Sequence, residues 1–258
     1  MKVWMQEMTW EEVQDYLKKN DIVIVPIGST EQHGPHLPIG CDSLVAIGLA
    51  EETAKRTQVI VTPPTWFGDS PHHMAFPGTI SLRSETIIEL MKDICKSLIH
   101  HGFKKIIVIN GHRGANIPAL KIAMKRVKEE YPTVFMAIVD PSDIGASIAK
   151  EIRESAPGEI FHAEELETSH LLYLYPNLVH MEKAKREFKD WPSKFIIEDP
   201  YVSGDKVGFI LSAQEEAKIT KSGTIGDPTK ASKEKGERYH KALVNNIVEF
   251  IQEIKKIK

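Results

Sequence analysis

The sequence predicts an α/β domain with a largely parallel sheet covered by helices on both faces. Short β-branched runs alternate with amphipathic stretches along the chain, the two periods that mark buried strands and core-packing helices. Their strand, helix, strand order implies right-handed crossovers and parallel pairing. The composition, 41% hydrophobic and 27% charged over 258 residues, is that of a soluble globular chain able to bury a sizeable core.

The first strand is "DIVIVPIG" at 21–28 and the second "QVIVTPP" at 58–64. In "SETIIELMKDICKSLIHHG" (84–102), Ile87, Ile88, Met91, Cys95, Leu98 and Ile99 fall on one helical stripe, with Ser84 as N-cap and Gly102 as the stop. "KKIIVIN" (104–110) is a third strand, "NIPALKIAMKRVKEEYP" (116–132) a helix with Pro near its start, and "TVFMAIVD" (133–140) a fourth strand. Residues 183–229 are poorly periodic and read as an excursion over the site or a subunit contact. The tail "SKEKGERYHKALVNNIVEFIQEIKKIK" is a closing amphipathic helix.

Composition also narrows the function. The net charge of −3 arises from 33 basic and 36 acidic residues mixed along the chain, with no basic stripe to follow a phosphate backbone, so nucleic acid is not an expected partner. No apolar run approaches the ~20 residues of a membrane span, and the first residues lack the apolar core of a signal peptide. With Cys41 and Cys95 as its only cysteines, the chain is expected to be cytoplasmic, free of disulfides and without a membrane partner.

In a parallel sheet, ligands gather at the carboxyl ends of the strands. "GSTEQHGPHLPIGCD", "WFGDSPHHMAFPG" and "GHRGAN" follow the first three strands and should converge on one edge. Glu31 and His33, two apart on a chain leaving a strand, project to the same side, and Asp42 can return to them. Such mixed nitrogen and oxygen donors suit zinc, manganese or iron. Read alone, His33 and Asp42 could equally cap turns. His112, held at a strand end in "NGHRGAN", favours the metal reading. In "FHAEELETSHLLYLYP" (161–176), His162 and Glu167 flank a helix start and Glu164 and Glu165 are expected to be solvated.

Five motifs in order over roughly residues 22–236, "PIGSTEQHGPHLPIGCD", "FPGTISL", "NGHRGAN", "HAEELETS" and "SGTIGDP" followed by "EKG", resemble the creatininase (creatinine amidohydrolase) family of metal-dependent hydrolases. The resemblance implies a three-layer α/β/α sandwich formed by residues 1–258 as one domain, two divalent metal ions (Zn, Mn or Fe), a small-molecule substrate and a homo-oligomer, often a hexamer. It further implies that Glu31, His33, Asp42 and His112 are metal ligands, with Asp42 bridging the ions. Glu167 would complete the set or share the catalytic work, and His162 would be the proton shuttle. A hydroxide activated by two cations needs no side-chain nucleophile, and the GxSxG elbow of serine hydrolases is absent from the chain. Cys41, beside Asp42, is read as packing or as a member of the metal shell.

Departures from the family pattern bear on substrate. Creatinine-cleaving members carry a Tyr and a metal-binding Glu after the His of the third-strand loop, and an indole shortly before the later His. Those places hold Arg113, Gly114 and "PGEIF" here, which disfavours creatinine. Members that deformylate a pyrimidine precursor have Gly where this chain has Arg113. His36, Ser70, His72, His73, Arg113 and Asn116 offer many donors and few apolar walls, a lining suited to a small oxygen-rich ring. The expected reaction is hydrolytic opening of a cyclic keto-polyol of the keto-inositol type. The alternatives are an amidohydrolase or deformylase and, from another class, a flavodoxin-like binding module with a structural metal.

Overall fold

The computed structural model describes residues 2–257. Helix α1 (Trp10–Leu17) opens on a capping box: the Thr9 hydroxyl accepts from the Glu12 N–H while the Glu12 carboxylate accepts from the Thr9 N–H. There follow β1 (Ile22–Ile27), α2 (Cys41–Thr57), β2 (Ile60–Val61), α3 (Ser84–His100), β3 (Lys105–Asn110), α4 (Asn116–Glu130) and β4 (Phe135–Val139). Two short helices, α5 (Pro141–Ile144) and α6 (Ala146–Ile152), lead to β5 (Ile160–His162) and α7 (Glu165–Leu174). The chain ends with α8 (Ala213–Ile219), β6 (Ile225–Gly226) and the long α9 (Lys233–Ile254).

The four main strands form a parallel sheet in the order β2-β1-β3-β4, as expected. Both faces are covered, and the strand period of two divides the side chains between two cores. Ile22, Ile24, Ile107 and Ile109 point to the face packed by α2, α7 and α9, whereas Val23, Val25, Ile106 and Val108 point to the face packed by α3 and α4. Pro26 is tolerated in central β1 because its carbonyl faces the β2 side, where it accepts from the Thr65 N–H after β2 has ended.

Several boundaries differ from expectation. The second strand shrinks to Ile60–Val61, because its Pro63 and Pro64 cannot extend a ladder. Ser84 is the first helical residue of α3, not its cap; Arg83 takes the cap position and the Ser84 hydroxyl donates to Asp69 instead. Helix α2 was not expected, so Asp42 lies in the first turn of a helix. The 183–229 excursion contains α8 and β6; β6 pairs antiparallel with β5, and α8 reaches the site described below. No helix among the described residues is long and apolar enough to cross a membrane.

Candidate metal centre

The site lies at the carboxyl ends of β1 and β3. The segment after β1 carries Glu31 and His33, both buried, and the turn after β3 carries His112. Asp42 is brought between them by the first turn of α2. Its Oδ1 lies 3.1 Å from His33 Nε2 and its Oδ2 lies 3.1 Å from His112 Nδ1. Glu31 Oε2 is 3.2 Å from the same His112 nitrogen, and Glu167 Oε2 is 3.8 Å from His33 Nε2. Donor atoms of Glu31, Asp42 and His112 cluster within 4.8 Å, as do those of His33, Cys41 and Asp42, and those of Glu31, His33 and His162.

The protons on these imidazoles follow from partners that can only accept. His33 Nδ1 donates to the Glu31 carbonyl at 3.3 Å, His112 Nε2 to the Asp69 carbonyl at 3.0 Å and His162 Nε2 to the Gln32 carbonyl at 2.6 Å. The opposite nitrogen of each ring therefore faces the carboxylates, where it can carry a proton or, with that proton displaced, offer a lone pair to a cation. His33 Nε2 and Asp42 Oδ2 are buried without a hydrogen-bond partner among the described residues, despite their close approach to neighbouring groups. Buried polar atoms in that state ask for a cation.

The electrostatics agree. Burial opposes charge on His33 and His112, yet Cys41 and Asp42 around the first, and Glu31 and Asp42 around the second, lift both pKa values well above the imidazole range. Burial likewise opposes charge on Glu31, but His112 and His73 hold its pKa well below the usual carboxylate value. A pocket that captures protons on two buried imidazoles has the negative potential a divalent ion would neutralise. His162 behaves differently: burial, then His73 and His33, push it well down, so it is a neutral ring.

Ser70 donates to Glu31 Oε2 and fixes that carboxylate. His72 is half-buried against His73, with ring centroids 4.0 Å apart, and burial takes its pKa down to about 3. His36 is fully buried; its Nε2 meets the Thr168 hydroxyl at 2.9 Å, which makes it part of the packing under α7. The Asn116 amide is engaged with the Gly28 carbonyl, the Asn110 side chain and the Asp69 N–H, so it braces three loops. Arg113 donates to the Phe161 carbonyl at 2.8 Å and lines a cavity with Asp42, Glu164, Glu167 and Tyr201.

Two expectations are corrected. Glu164 and Glu165 are buried, not solvated. Glu164 caps α7 by accepting from the Leu166 and Glu167 N–H groups, and burial followed by the Glu167 charge raises its pKa to about 8. Glu165 accepts from the N–H groups of Glu154 and Ser155 and pairs with Lys235. Between His162 and Glu164, Ala163 holds a left-handed φ of 52°, and its N–H donates to Glu167 Oε2 at 2.6 Å. That strained residue aims the helix start at the site.

Sequence reasoning missed Glu216. It comes from α8, is fully buried, and accepts from His73 Nδ1 at 2.7 Å and Gln32 Nε2 at 3.0 Å. His73 also meets Glu31 at 3.2 Å, and with a carboxylate at each nitrogen it overcomes the cost of burial to reach a pKa of about 9. No local pattern singles out Glu216 in "SAQEEAKI".

The family model described as creatininase, creatinine amidohydrolase, matches residues 6–251. The chain belongs to the creatininase family. Over 98% of its length it is 29% identical to a 3-dehydro-scyllo-inosose hydrolase from Thermotoga maritima, covering 83% of that protein. It is 27% identical to a creatinine amidohydrolase from Pseudomonas putida, over 97% of this chain and 96% of the relative. A solved structure described as creatininase Mn superposes with a TM-score of 0.83 at 25% identity, covering 98% of each chain. This creatininase-family protein is thus a hydrolase with an α/β architecture shared with its relatives, and it carries groups of side chains able to hold a metal ion.

Proposed function

We propose that this hydrolase opens a small cyclic ketone rich in hydroxyl groups, of the keto-inositol type, by hydrolysis of a ring carbon–carbon bond. The observation that carries the reading is the similarity to a 3-dehydro-scyllo-inosose hydrolase along nearly the whole chain, and the polar lining supports it. Glu31, His33, Asp42, His112 and Glu167 would hold two divalent ions, zinc, manganese or iron, with Asp42 shared. Such ions, when bound, supply Lewis acidity that polarises a carbonyl and acidifies water.

The chain's own residues then have distinct tasks. As water adds to the ring carbonyl, its proton passes to His162 Nδ1, the nitrogen left free by the bond to the Gln32 carbonyl. The adjacent carbon–carbon bond breaks, its electron pair passes to the neighbouring carbon, and that carbon takes the proton from His162, leaving a carboxylic acid at the other end. Ser70 holds Glu31 in place. Arg113 and His72 would bind substrate oxygens, and a neutral His72 can both donate and accept.

The free, buried state of Cys41 and Cys95 supports a cytoplasmic setting. Exposed Ile39, Trp66, Phe67, Met74 and Ile80 suit burial against other copies of the chain in a homo-oligomer. The test is a panel of a cyclic keto-inositol, a formamide and creatinine, offered to the metal-loaded protein and to its Arg113→Lys variant. Wild type should turn over the keto-inositol best, and Lys, lacking the planar fork, should be slower on it. Faster cleavage of creatinine, or unchanged turnover by the variant, would defeat the substrate assignment.

A further inference from the structure

Cys41 is the first residue of α2, and its side chain is buried on the face of that helix turned toward the metal centre. Its sulfur, a nitrogen of His33 and an oxygen of Asp42 lie within 4.8 Å of one another. Independently of the cysteine, His33 Nε2 is a buried polar atom at this spot with no hydrogen-bond partner among the described residues. Cys95, by contrast, packs with Ile87, Met91 and Leu98 in the core on the other face of the sheet.

We propose that Cys41 is a thiolate ligand of the ion held by His33 and Asp42, which makes that position a mixed nitrogen, oxygen and sulfur site selective for zinc over manganese. The inference rests on the two-metal reading above and adds to it a donor and a preference. Thiolate sulfur is a soft ligand that favours zinc and cadmium, whereas manganese prefers carboxylate and water. On binding, the thiol proton is released to solvent and the sulfur lone pair forms the new bond, so each bound ion liberates one proton from this group.

Cadmium titration of the metal-free protein reads the bond directly, without any substrate. Wild type should develop a thiolate-to-cadmium charge-transfer band in the ultraviolet, and Cys95→Ala, which leaves Cys41 as the only thiol, should keep it. Cys41→Ser should still take up cadmium but lose the band, and its zinc affinity should fall by about tenfold or more while manganese affinity barely changes. Cadmium uptake by wild type without the band, or a band lost in Cys95→Ala, overturns the thiolate ligand and leaves the two-metal reading standing. No uptake by wild type overturns both. Should Cys41→Ser fold poorly, the wild-type and Cys95→Ala titrations alone still decide.

Discussion

Replacing Gly111 by Ala should damage the metal centre without touching a ligand. Gly111 joins β3 to His112, and its N–H donates to the Ile27 carbonyl at 2.8 Å, which locks it against β1. A Cβ built there would lie 2.0 Å from the Asp42 carbonyl oxygen and 2.8 Å from its carbonyl carbon. Contacts to Cβ below 3.0 Å are essentially never seen, so the two backbones must separate by about 1 Å. No side-chain rotation relieves the clash, because the obstructing atoms belong to the first turn of α2. The separation falls between His112 and Asp42, whose facing atoms are 3.1 Å apart. Metal–ligand distances tolerate only about 0.2 Å of error, so one of the two residues must leave the shell. We expect zinc affinity to drop by a factor of about 10–100 or more. The overpacking should cost about 1–3 kcal/mol, or several degrees of Tm at ~2–4 °C per kcal/mol for a chain of this size. Competition with a chromophoric chelator and thermal unfolding measure both. Gly208→Ala, where a Cβ meets nothing within 4 Å, is the neutral control. Wild-type zinc affinity in Gly111→Ala would refute the argument that close backbone approach sets the site.

Asp42→Ala should abolish binding of both ions while leaving the far-ultraviolet circular dichroism spectrum unchanged, because one carboxylate faces both His33 and His112; a fully occupied variant would sink its bridging role. His162→Asn should keep its metals but lose about 10²-fold or more in turnover, the usual contribution of a positioned proton carrier, and loss of metal instead would make His162 a ligand. Glu164→Gln addresses pH. With a folded pKa of about 8 against an ordinary 4.5, Glu164 keeps a proton that the unfolded chain has released. Its contribution therefore favours the fold below 4.5 and erodes by up to about 1.4 kcal/mol per pH unit as pH rises toward 8. The stability difference between wild type and Gln variant, from urea unfolding of the metal-free protein, should follow that slope. A difference independent of pH would mean that Glu164 is ionised in the fold.

The sheet was legible because β1, β2 and β3 are short β-branched runs buried on both faces, a pattern that needs no long-range information. Helix α3 was legible for a similar reason: Ile87, Ile88, Met91, Cys95 and Leu98 form a stripe of large apolar residues against charged neighbours. Helix α2 was not, since its buried face is built from Cys41, Ala46, Ala50, Thr53 and Ala54 as well as Val45 and Leu49, and small or polar residues give little contrast between faces. At the site, Glu31, His33 and His112 come together because they follow strand ends on one edge of the sheet, while Asp42 enters from the first turn of α2. Glu164 and Glu165 depart from the expectation that charge faces solvent because each is buried accepting hydrogen bonds from backbone N–H groups. Glu216 meets His73 across 143 residues of sequence, and nothing local encodes that meeting.

The four histidines around Glu31 and Asp42 divide by what holds their protons. His33, His112 and His162 each donate one N–H to a main-chain carbonyl, so each ring is fixed in orientation with its other nitrogen turned inward. A ligand nitrogen needs that arrangement, with the outer nitrogen pinned and the inner one free. His73 instead has a carboxylate at both nitrogens, Glu31 on one side and Glu216 on the other. Such a ring is stable as a cation, and its raised pKa of about 9 follows from the same two neighbours once they outweigh burial. It therefore fixes the Glu31 carboxylate from one side, while the carbonyl-anchored rings face the centre from the others. The helix α8 within the irregular excursion has a purpose on this account: it delivers Glu216, whose carboxylate pins Nδ1 of His73 and so sets the ring against Glu31.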